Sequence, residues 1–295
     1  MGKRYLVGLI GEGIEHSLTP DLHMREAHHL SIEYEYRIID VLDPEFSNHN
    51  IERILSECRA AGYHALNVTY PFKQRVLKHL GAQTLEVEEL EATNLILELQ
   101  DTIRGANTDW TGFQYALSEA IPLASRDLVL QVGVGGAGSA TAYALLKWGV
   151  KRLVLADLHL APAQKLAERY QRLFPKQQVI GMQVEDALPL MAQLDGVVQA
   201  TPIGMHLHPG KPFEIDQLPT SAWLADLIYR PMETELITEA RKRGNIVVPG
   251  GLMAVGQAAD SLQLITGLAP NRERMRQHFA ELLDDESLLT RARGI

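Results

Sequence analysis

The chain has 295 residues and a mass of 32.8 kDa, about two domains at roughly 100–200 residues each. Apolar residues make up 46% and charged residues 22%, an ordinary globular composition that excludes a collagen-like, disordered or disulfide-scaffold protein. The formal charge of −9 lacks the basic footprint of a nucleic-acid-binding protein, and it is uneven: residues 1–110 carry 10 basic and 18 acidic side chains, residues 111–295 carry 18 and 19.

In chain order, Tyr5–Ile10 predicts a buried strand. Pro20–Leu30 predicts a helix with Pro near its start, and Tyr34–Asp40 an alternating strand. Ile51–Ala61 predicts a helix with Leu55 and Cys58 on its apolar face and Gly62 past its end. Ala65–Tyr70 is a strand stopped by Pro71, and Lys73–Leu80 a short helix. Leu95–Leu99 and Thr102–Ala106 read as a hairpin around Gln100-Asp101. A helix over Trp110–Ala120 bridges to a second unit. There Leu128–Val132, Arg152–Ala156, Gly196–Ala200, Trp223–Ile228 and Ile246–Val248 read as strands. Ser139–Trp148, Ala161–Phe174, Glu233–Arg243, Met253–Thr266 and Asn271–Leu283 read as helices, and Ser287–Arg293 as a frayed tail. This alternation places the chain in the α/β class, with a parallel sheet covered by helices.

One cysteine, Cys58, excludes an intrachain disulfide and suits a reducing compartment. Glu12 interrupts the early apolar run, against a signal peptide, and Leu6 at the sixth position argues against myristoylation. No stretch approaches ~18 apolar residues. The expectation is a cytoplasmic protein with no membrane and no nucleic-acid partner.

Leu128–Val132 runs into Gly133-Val134-Gly135-Gly136-Ala137-Gly138, a G-x-G-x-x-G between a strand and a helix. Glycines permit close backbone approach, and the helix N-terminus offers free N–H groups to a pyrophosphate. The next strand ends at Asp157, 24 residues after Gly133, where a carboxylate can accept from ribose hydroxyls. A carboxylate there repels a 2′-phosphate, so the cofactor expected is NAD.

Three polar clusters occupy residues 1–110. His16-Ser17-Leu18-Thr19-Pro20 offers two hydroxyls to one ligand, or a helix cap by Thr19. Asn67-Val68-Thr69-Tyr70-Pro71-Phe72-Lys73 puts Asn67 and Thr69 on one strand face, with Lys73 entering a helix or simply solvated. Asn107-Thr108-Asp109 is a third group, or an N-cap by Asp109. His28-His29 and His206/His208 lack partners at ligand spacing, so no metal site is expected. Cys58 reads as core, and Glu86–Glu91 as a solvated helix face.

These motifs, in this order and with Asn94, Ala200-Thr201-Pro202-Ile203-Gly204-Met205 and Gly251-x-Met253-x-Val255-x-Gln257-Ala258, resemble the shikimate/quinate dehydrogenase family over nearly the whole chain. The resemblance implies two α/β domains. Residues 1–110 would be the substrate-binding domain, 111–251 the Rossmann-like dinucleotide-binding domain, and 252–295 helices packing back on the first. It implies catalytic roles for Lys73 and Asp109. Ser17 and Thr19 match a carboxylate-binding hydroxyl pair, Tyr229 a further carboxylate contact, and Thr69, Asn94 and Gln257 contacts to ring hydroxyls. Gly135, Gly136, Ala137, Asp157, Thr201, Met205 and Gly251 match cofactor contacts.

Hydride transfer from a secondary alcohol needs a group for the hydroxyl proton. A lysine amine serves when burial favours its neutral form, whereas a carboxylate such as Asp109 favours the ammonium. Thr19 stands where many biosynthetic members have Ser, Met24 where they have Asn, and Glu91 where the family has Gly. Thr19, Tyr70–Gln74, Gln131-Val132-Gly133 and Asp157 are more similar to the NAD-dependent quinate/shikimate dehydrogenases. The expected partner is a small-molecule acid, quinate or shikimate, with a homodimer as candidate assembly. The alternatives are an NADP-linked biosynthetic shikimate dehydrogenase, an aminoshikimate-type paralogue, and an idle regulator that binds NAD or the acid. Intact Lys73 and Asp109 argue against the last.

Overall fold

A computed structural model describes the backbone of residues 4–46 and 50–292 and the side chains up to residue 284. It divides the chain into two compact units, Met1–Thr108 with Val255–Ile295, and Asp109–Ala254. The side chains of the tail expected at Ser287–Arg293 lie outside the described residues.

The first unit begins β1 (Arg4–Gly11), α1 (Thr19–His29), β2 (Glu33–Asp40), α2 (Ile51–Ala60) and β3 (Ala65–Val68). It continues through α3 (Phe72–Arg75), β4 (Ala82–Gln83), α4 (Leu85–Leu90), β5 (Leu95–Leu97) and β6 (Arg104–Ala106). The sheet order is β2-β1-β3-β5-β6-β4. The apolar run of β1 lets both its faces be covered. Ile10 packs with Ile54, Leu55, Cys58, Leu66 and Ile96, while Val7 and Leu9 pack with Tyr36 and Leu95. Asn50 caps α2 by accepting from Arg53 N–H at 2.9 Å, and Gly62 follows with φ +83°.

The sheet is mixed, and the hairpin expected at Leu95–Leu99 and Thr102–Ala106 is found in it as β5 and β6. β1 pairs in parallel with β2 and β3, but β5 runs antiparallel to both β3 and β6. The connection from β5 to β6 is too short for the crossover that parallel neighbours need. Two other expectations are trimmed. β3 ends at Val68 because Thr69 turns into a tight bend, its carbonyl accepting Phe72 N–H at 2.8 Å. The helix expected over Lys73–Leu80 is two short pieces, α3 and a 3₁₀ turn at Leu77–His79.

The second unit contains α5 (Asp109–Ala120), β7 (Leu128–Val132), α6 (Gly136–Trp148), β8 (Arg152–Asp157) and α7 (Leu160–Leu173). It goes on with β9 (Gln178–Gln183), α8 (Val184–Ala187), β10 (Gly196–Gln199), β11 (Trp223–Asp226), α9 (Glu235–Arg243) and β12 (Ile246–Pro249). Its sheet is wholly parallel, in the order β12-β11-β10-β7-β8-β9. Every residue of β7, β10 and β11 is buried, as expected for strands covered on both faces. β9 has no sequence expectation behind it: glutamines at both ends and Gly181 mask its short apolar stretch, and it takes the sheet edge.

Two helices close the chain, α10 (Gly250–Thr266) and α11 (Arg272–Ala292). α11 starts where Asn271 accepts from Arg274 N–H at 2.9 Å. Glu26 of α1 is fully buried and accepts from Asn271 N–H at 2.8 Å and from Arg274 Nε and Nη2 at 2.8 and 2.6 Å. That two-pronged ion pair ties α11 to α1.

Candidate functional site

In the first unit, the loop after β1 carries Ser17 and is held from below by Asp40, the last residue of β2. Its two carboxylate oxygens accept Gly13 N–H at 3.0 Å and Ile14 N–H at 2.6 Å. Burial alone would raise this carboxyl, but N–H donors from Leu42, Ile14 and Gly13 outweigh it and hold it below the usual range. Ser17 N–H then bonds to Ile14 carbonyl at 2.9 Å, and Ser17 Oγ accepts Thr19 N–H at 3.3 Å. Ser17 and Thr19 are both half-buried. The capping alternative for Thr19 is corrected: Leu18 is the N-cap and no side chain caps α1.

Thr69 follows β3 beside Gly11, where any Cβ would collide with the threonine methyl. Lys73 lies in the first turn of α3, half-buried, and its carbonyl accepts Thr93 N–H at 2.9 Å. That bond holds the Glu91–Asn94 segment against α3. Glu91 takes the left-handed conformation, φ 51° and ψ 36°, which accounts for the glycine found there in the resembled family. Asn94 is 3% exposed; its Oδ1 accepts Thr108 N–H at 2.7 Å and its Nδ2 donates to Thr108 Oγ1 at 3.0 Å. Gln257 is half-buried on α10.

In the second unit, β7 delivers the glycine loop to α6. Gly135 is the N-cap and, with Gly136 and Ala137, is exposed, so the first N–H groups of α6 face outward. At Gly133, with φ +99°, a Cβ would stand 2.6 Å from Ala200 carbonyl oxygen; at Gly138 it would strike Gly133 carbonyl oxygen. The loop is therefore closed to side chains and open to a diphosphate. Asp157 Oδ2 accepts Val134 N–H at 3.1 Å and Oδ1 accepts His159 N–H at 3.3 Å. Thr201 and Met205 lie in a loop after β10, and Gly251 is the second residue of α10. Asp109 is the first residue of α5, 7% exposed. Tyr229, half-buried, follows β11.

Several residues support these loops from inside the strands, in roles that the sequence did not reveal. Gln131 is fully buried; its Nε2 donates to Gly133 and Gly138 carbonyls at 2.9 and 2.7 Å, and its Oε1 accepts from Thr141. Gln199 does the same for the next loop, donating to Thr201 and Ile203 carbonyls at 3.0 and 2.6 Å and accepting Thr201 N–H at 2.7 Å. Asp226 Oδ1 accepts Ile228 N–H at 3.0 Å and Oδ2 accepts Thr234 hydroxyl at 2.7 Å, closing the loop that carries Tyr229. Burial pushes the Asp226 carboxyl up to about 6 against these two donors. The available signal was a polar residue inside an otherwise apolar strand.

The remaining polar groups carry no chemistry of this kind. His23 is fully buried on Tyr34 hydroxyl at 3.0 Å, and burial pushes its imidazole down to about 3. Burial also pushes the Cys58 thiol up to about 12, leaving it inert as expected of a core residue. Among the described residues no group of three or more His, Cys, Asp or Glu is placed to hold a metal ion. No helix among them is long and apolar enough to cross a membrane.

The first unit carries neutral hydroxyl and amide groups and the half-buried Lys73 on the loops and element ends just described. The second offers a glycine loop, outward N–H groups and an anchored carboxylate, and these fit a dinucleotide. The family model described as "Shikimate dehydrogenase substrate binding domain" matches residues 9–96. The chain is 43% identical to a Pseudarthrobacter chlorophenolicus protein named shikimate dehydrogenase (NADP(+)), covering 96% of this chain and 97% of that one. It is 38% identical to a Corynebacterium glutamicum protein named quinate/shikimate dehydrogenase (NAD(+)), covering 96% and 100%. The solved quinate dehydrogenase from Corynebacterium glutamicum in complex with NAD is similar with a TM-score of 0.91 and 38% identity, covering 94% of this chain and 99% of that one.

Proposed function

The chain belongs to the shikimate/quinate dehydrogenase family, and on that premise we propose that it interconverts quinate with 3-dehydroquinate, and shikimate with 3-dehydroshikimate, using NAD. A bound nicotinamide dinucleotide supplies the hydride acceptor. The chain's own residues bind, orient and move the proton. Ser17, Thr19 and Tyr229 donate hydroxyls to the acid's carboxylate. Thr69, Asn94 and Gln257 hold its ring hydroxyls. As the carbinol carbon gives up its hydride, Lys73 Nζ takes the hydroxyl proton, and in the reverse direction it returns it. Asp109 orients that ammonium and accepts from the reacting hydroxyl. In the second unit, N–H groups of Gly135, Gly136 and Ala137 face the pyrophosphate, and Thr201, Met205 and Gly251 make the remaining cofactor contacts.

The observation that carries NAD is the anchored carboxylate of Asp157, followed by Leu158 and His159 where a 2′-phosphate would call for a basic residue. Quinate is supported by Thr19 in the carboxylate-binding pair and by the similarity to a quinate dehydrogenase. A second reading, an NADP-linked shikimate dehydrogenase, is favoured by the 43% identity to a relative so named. A kinetic matrix of two cofactors and two acids separates them. Reduction of NAD with both acids, with kcat/KM for NAD at least about tenfold above NADP, supports the first reading; the reverse cofactor order with shikimate alone supports the second. Lys73→Ala should lower kcat by about 10²–10⁴. No reduced cofactor from either acid, with Lys73→Ala indistinguishable from wild type, overturns both.

A further inference from the structure

We propose that Ser261 is a positioning residue for this reaction, orienting the Asn94 amide through Thr108; the inference rests on the reading just given, in which Asn94 holds a ring hydroxyl. Ser261 is fully buried on α10, one turn beyond Gln257. Its hydroxyl lies 3.2 Å from Asn67 Nδ2 and 2.9 Å from Thr108 Oγ1.

The direction of each bond follows from counting hydrogens. Tyr36 is buried, and burial keeps its phenol protonated; it donates to Asn67 Oδ1 at 2.9 Å. Asn67 therefore turns its NH₂ end to Ser261 and donates to it. The hydrogen of Ser261 then goes to Thr108 Oγ1, the acceptor the described residues place within reach. At the far end, Thr108 N–H is an obligate donor and sits on Asn94 Oδ1 at 2.7 Å. This fixes the amide with its nitrogen toward Thr108 Oγ1, which accepts from both Asn94 and Ser261. The chain Tyr36, Asn67, Ser261, Thr108, Asn94 is buried throughout and is built of neutral groups.

Such a network fixes geometry rather than charge. It joins three segments that carry proposed acid contacts: β3, which leads to Thr69; α10, which bears Gln257; and Asn94 itself. An alanine would pack at this helix position equally well by size, but it would remove the Ser261 bond from Thr108 Oγ1 and so loosen the junction that Thr108 shares with the Asn94 amide.

The test is a double-mutant cycle on the full-length enzyme with quinate, shikimate and NAD. Ser261→Ala should raise KM for the acid by about five- to tenfold, while kcat and KM for NAD stay within about twofold. The shape of the pH profile should not move, because no member of the chain changes charge over the assay range. In an Asn94→Ala background, Ser261→Ala should add less than about twofold. If Ser261→Ala does not fold, Thr108→Val removes the same junction from the other side and carries the cycle. Multiplicative effects of the two substitutions, or equal losses for acid and NAD, would overturn the inference while leaving the functional reading intact. Neither turnover nor calorimetric binding of either acid by the wild-type enzyme would overturn the functional reading, and this inference with it.

Discussion

Replacing Asp157 with Asn should shift cofactor preference toward NADP by about tenfold. The side chain ends β8 half-buried, with Oδ2 on Val134 N–H at 3.1 Å, so the carboxylate is pinned against the glycine loop and not free to swing away. A 2′-phosphate carries about 1.5–2 negative charges at neutral pH. Two unit charges about 4 Å apart repel by about 1 kcal/mol in bulk water and about 4 kcal/mol at the effective dielectric of a protein surface. Half exposure and salt place this site toward the lower end, at about 1–2 kcal/mol, or roughly five- to thirtyfold. Asn keeps an oxygen for Val134 N–H and removes the charge, so the loop should stand while the repulsion goes. The assay is the ratio of kcat/KM for NAD to that for NADP, with one acid held saturating, in wild type and variant. Raising the salt should also narrow the wild-type ratio, since part of the discrimination is Coulombic. A ratio that is the same in both proteins, within about twofold, would refute the assignment of Asp157 as the discriminating group.

Two further outcomes concern stability. Glu91→Gly should raise the unfolding midpoint of the first unit, by about 1 kcal/mol, because the left-handed backbone at φ 51° penalises any Cβ; a lowered midpoint in chemical denaturation would refute this. The Asp226 carboxyl, raised by burial to about 6 from 3.8, gives the folded second unit more bound protons than the unfolded chain across that window. Its contribution to stability is therefore present at low pH and lost as pH rises from about 4 through about 6, a change on the order of 3 kcal/mol. Asp226→Asn should flatten that part of the curve relative to wild type, and identical pH slopes for the two proteins would sink the argument.

How far the sequence could be read follows from which forces leave a periodic trace. The parallel strands of the second unit were legible because they are covered on both faces and read as unbroken apolar runs. The glycine loop was legible because only glycine fits at Gly133 and Gly138. β9 was not, since an edge strand can keep glutamines at both ends. The β5–β6 hairpin was legible from its short connection, but the antiparallel pairing of β5 with β3 was not, because it leaves no mark on side-chain alternation. The start of α6 at Gly136 rather than Ser139 was hidden by residues of poor helix propensity that the diphosphate-binding turn requires. Of the site, Ser17, Thr19, Lys73 and Asp157 stood out as polar residues at element ends. Ser261 did not, lying in the middle of an apolar helix.

A rule connects the residues that support the loops, some legible in the sequence and others, such as Asp40, Gln199 and Asp226, passed over. Asp40, Asn67, Gln131, Asp157, Gln199 and Asp226 all lie at or next to the C-terminal ends of strands whose neighbours are mostly apolar. Asp40, Gln131, Asp157, Gln199 and Asp226 bond backbone groups of a following or adjoining loop. Asn67 instead bonds Ser261 and so fixes a helix. Loops leaving the carboxyl ends of parallel strands form the ligand crevice of open α/β sheets, and they have no ladder to satisfy their own N–H and C=O groups. A side-chain amide or carboxylate at the last strand position satisfies those groups from below, and it leaves the upper surface of the loop free for the ligand. This also explains the uneven charge. If the acid is met by neutral hydroxyls and the diphosphate by backbone N–H groups, the acidic excess of residues 1–110 lies on the surface, where exposed charges beyond about 8–10 Å are screened at physiological salt. A polar residue closing an apolar strand is then a better pointer to a ligand loop than any charge count, because the strand's burial makes an unused polar group there too costly to keep.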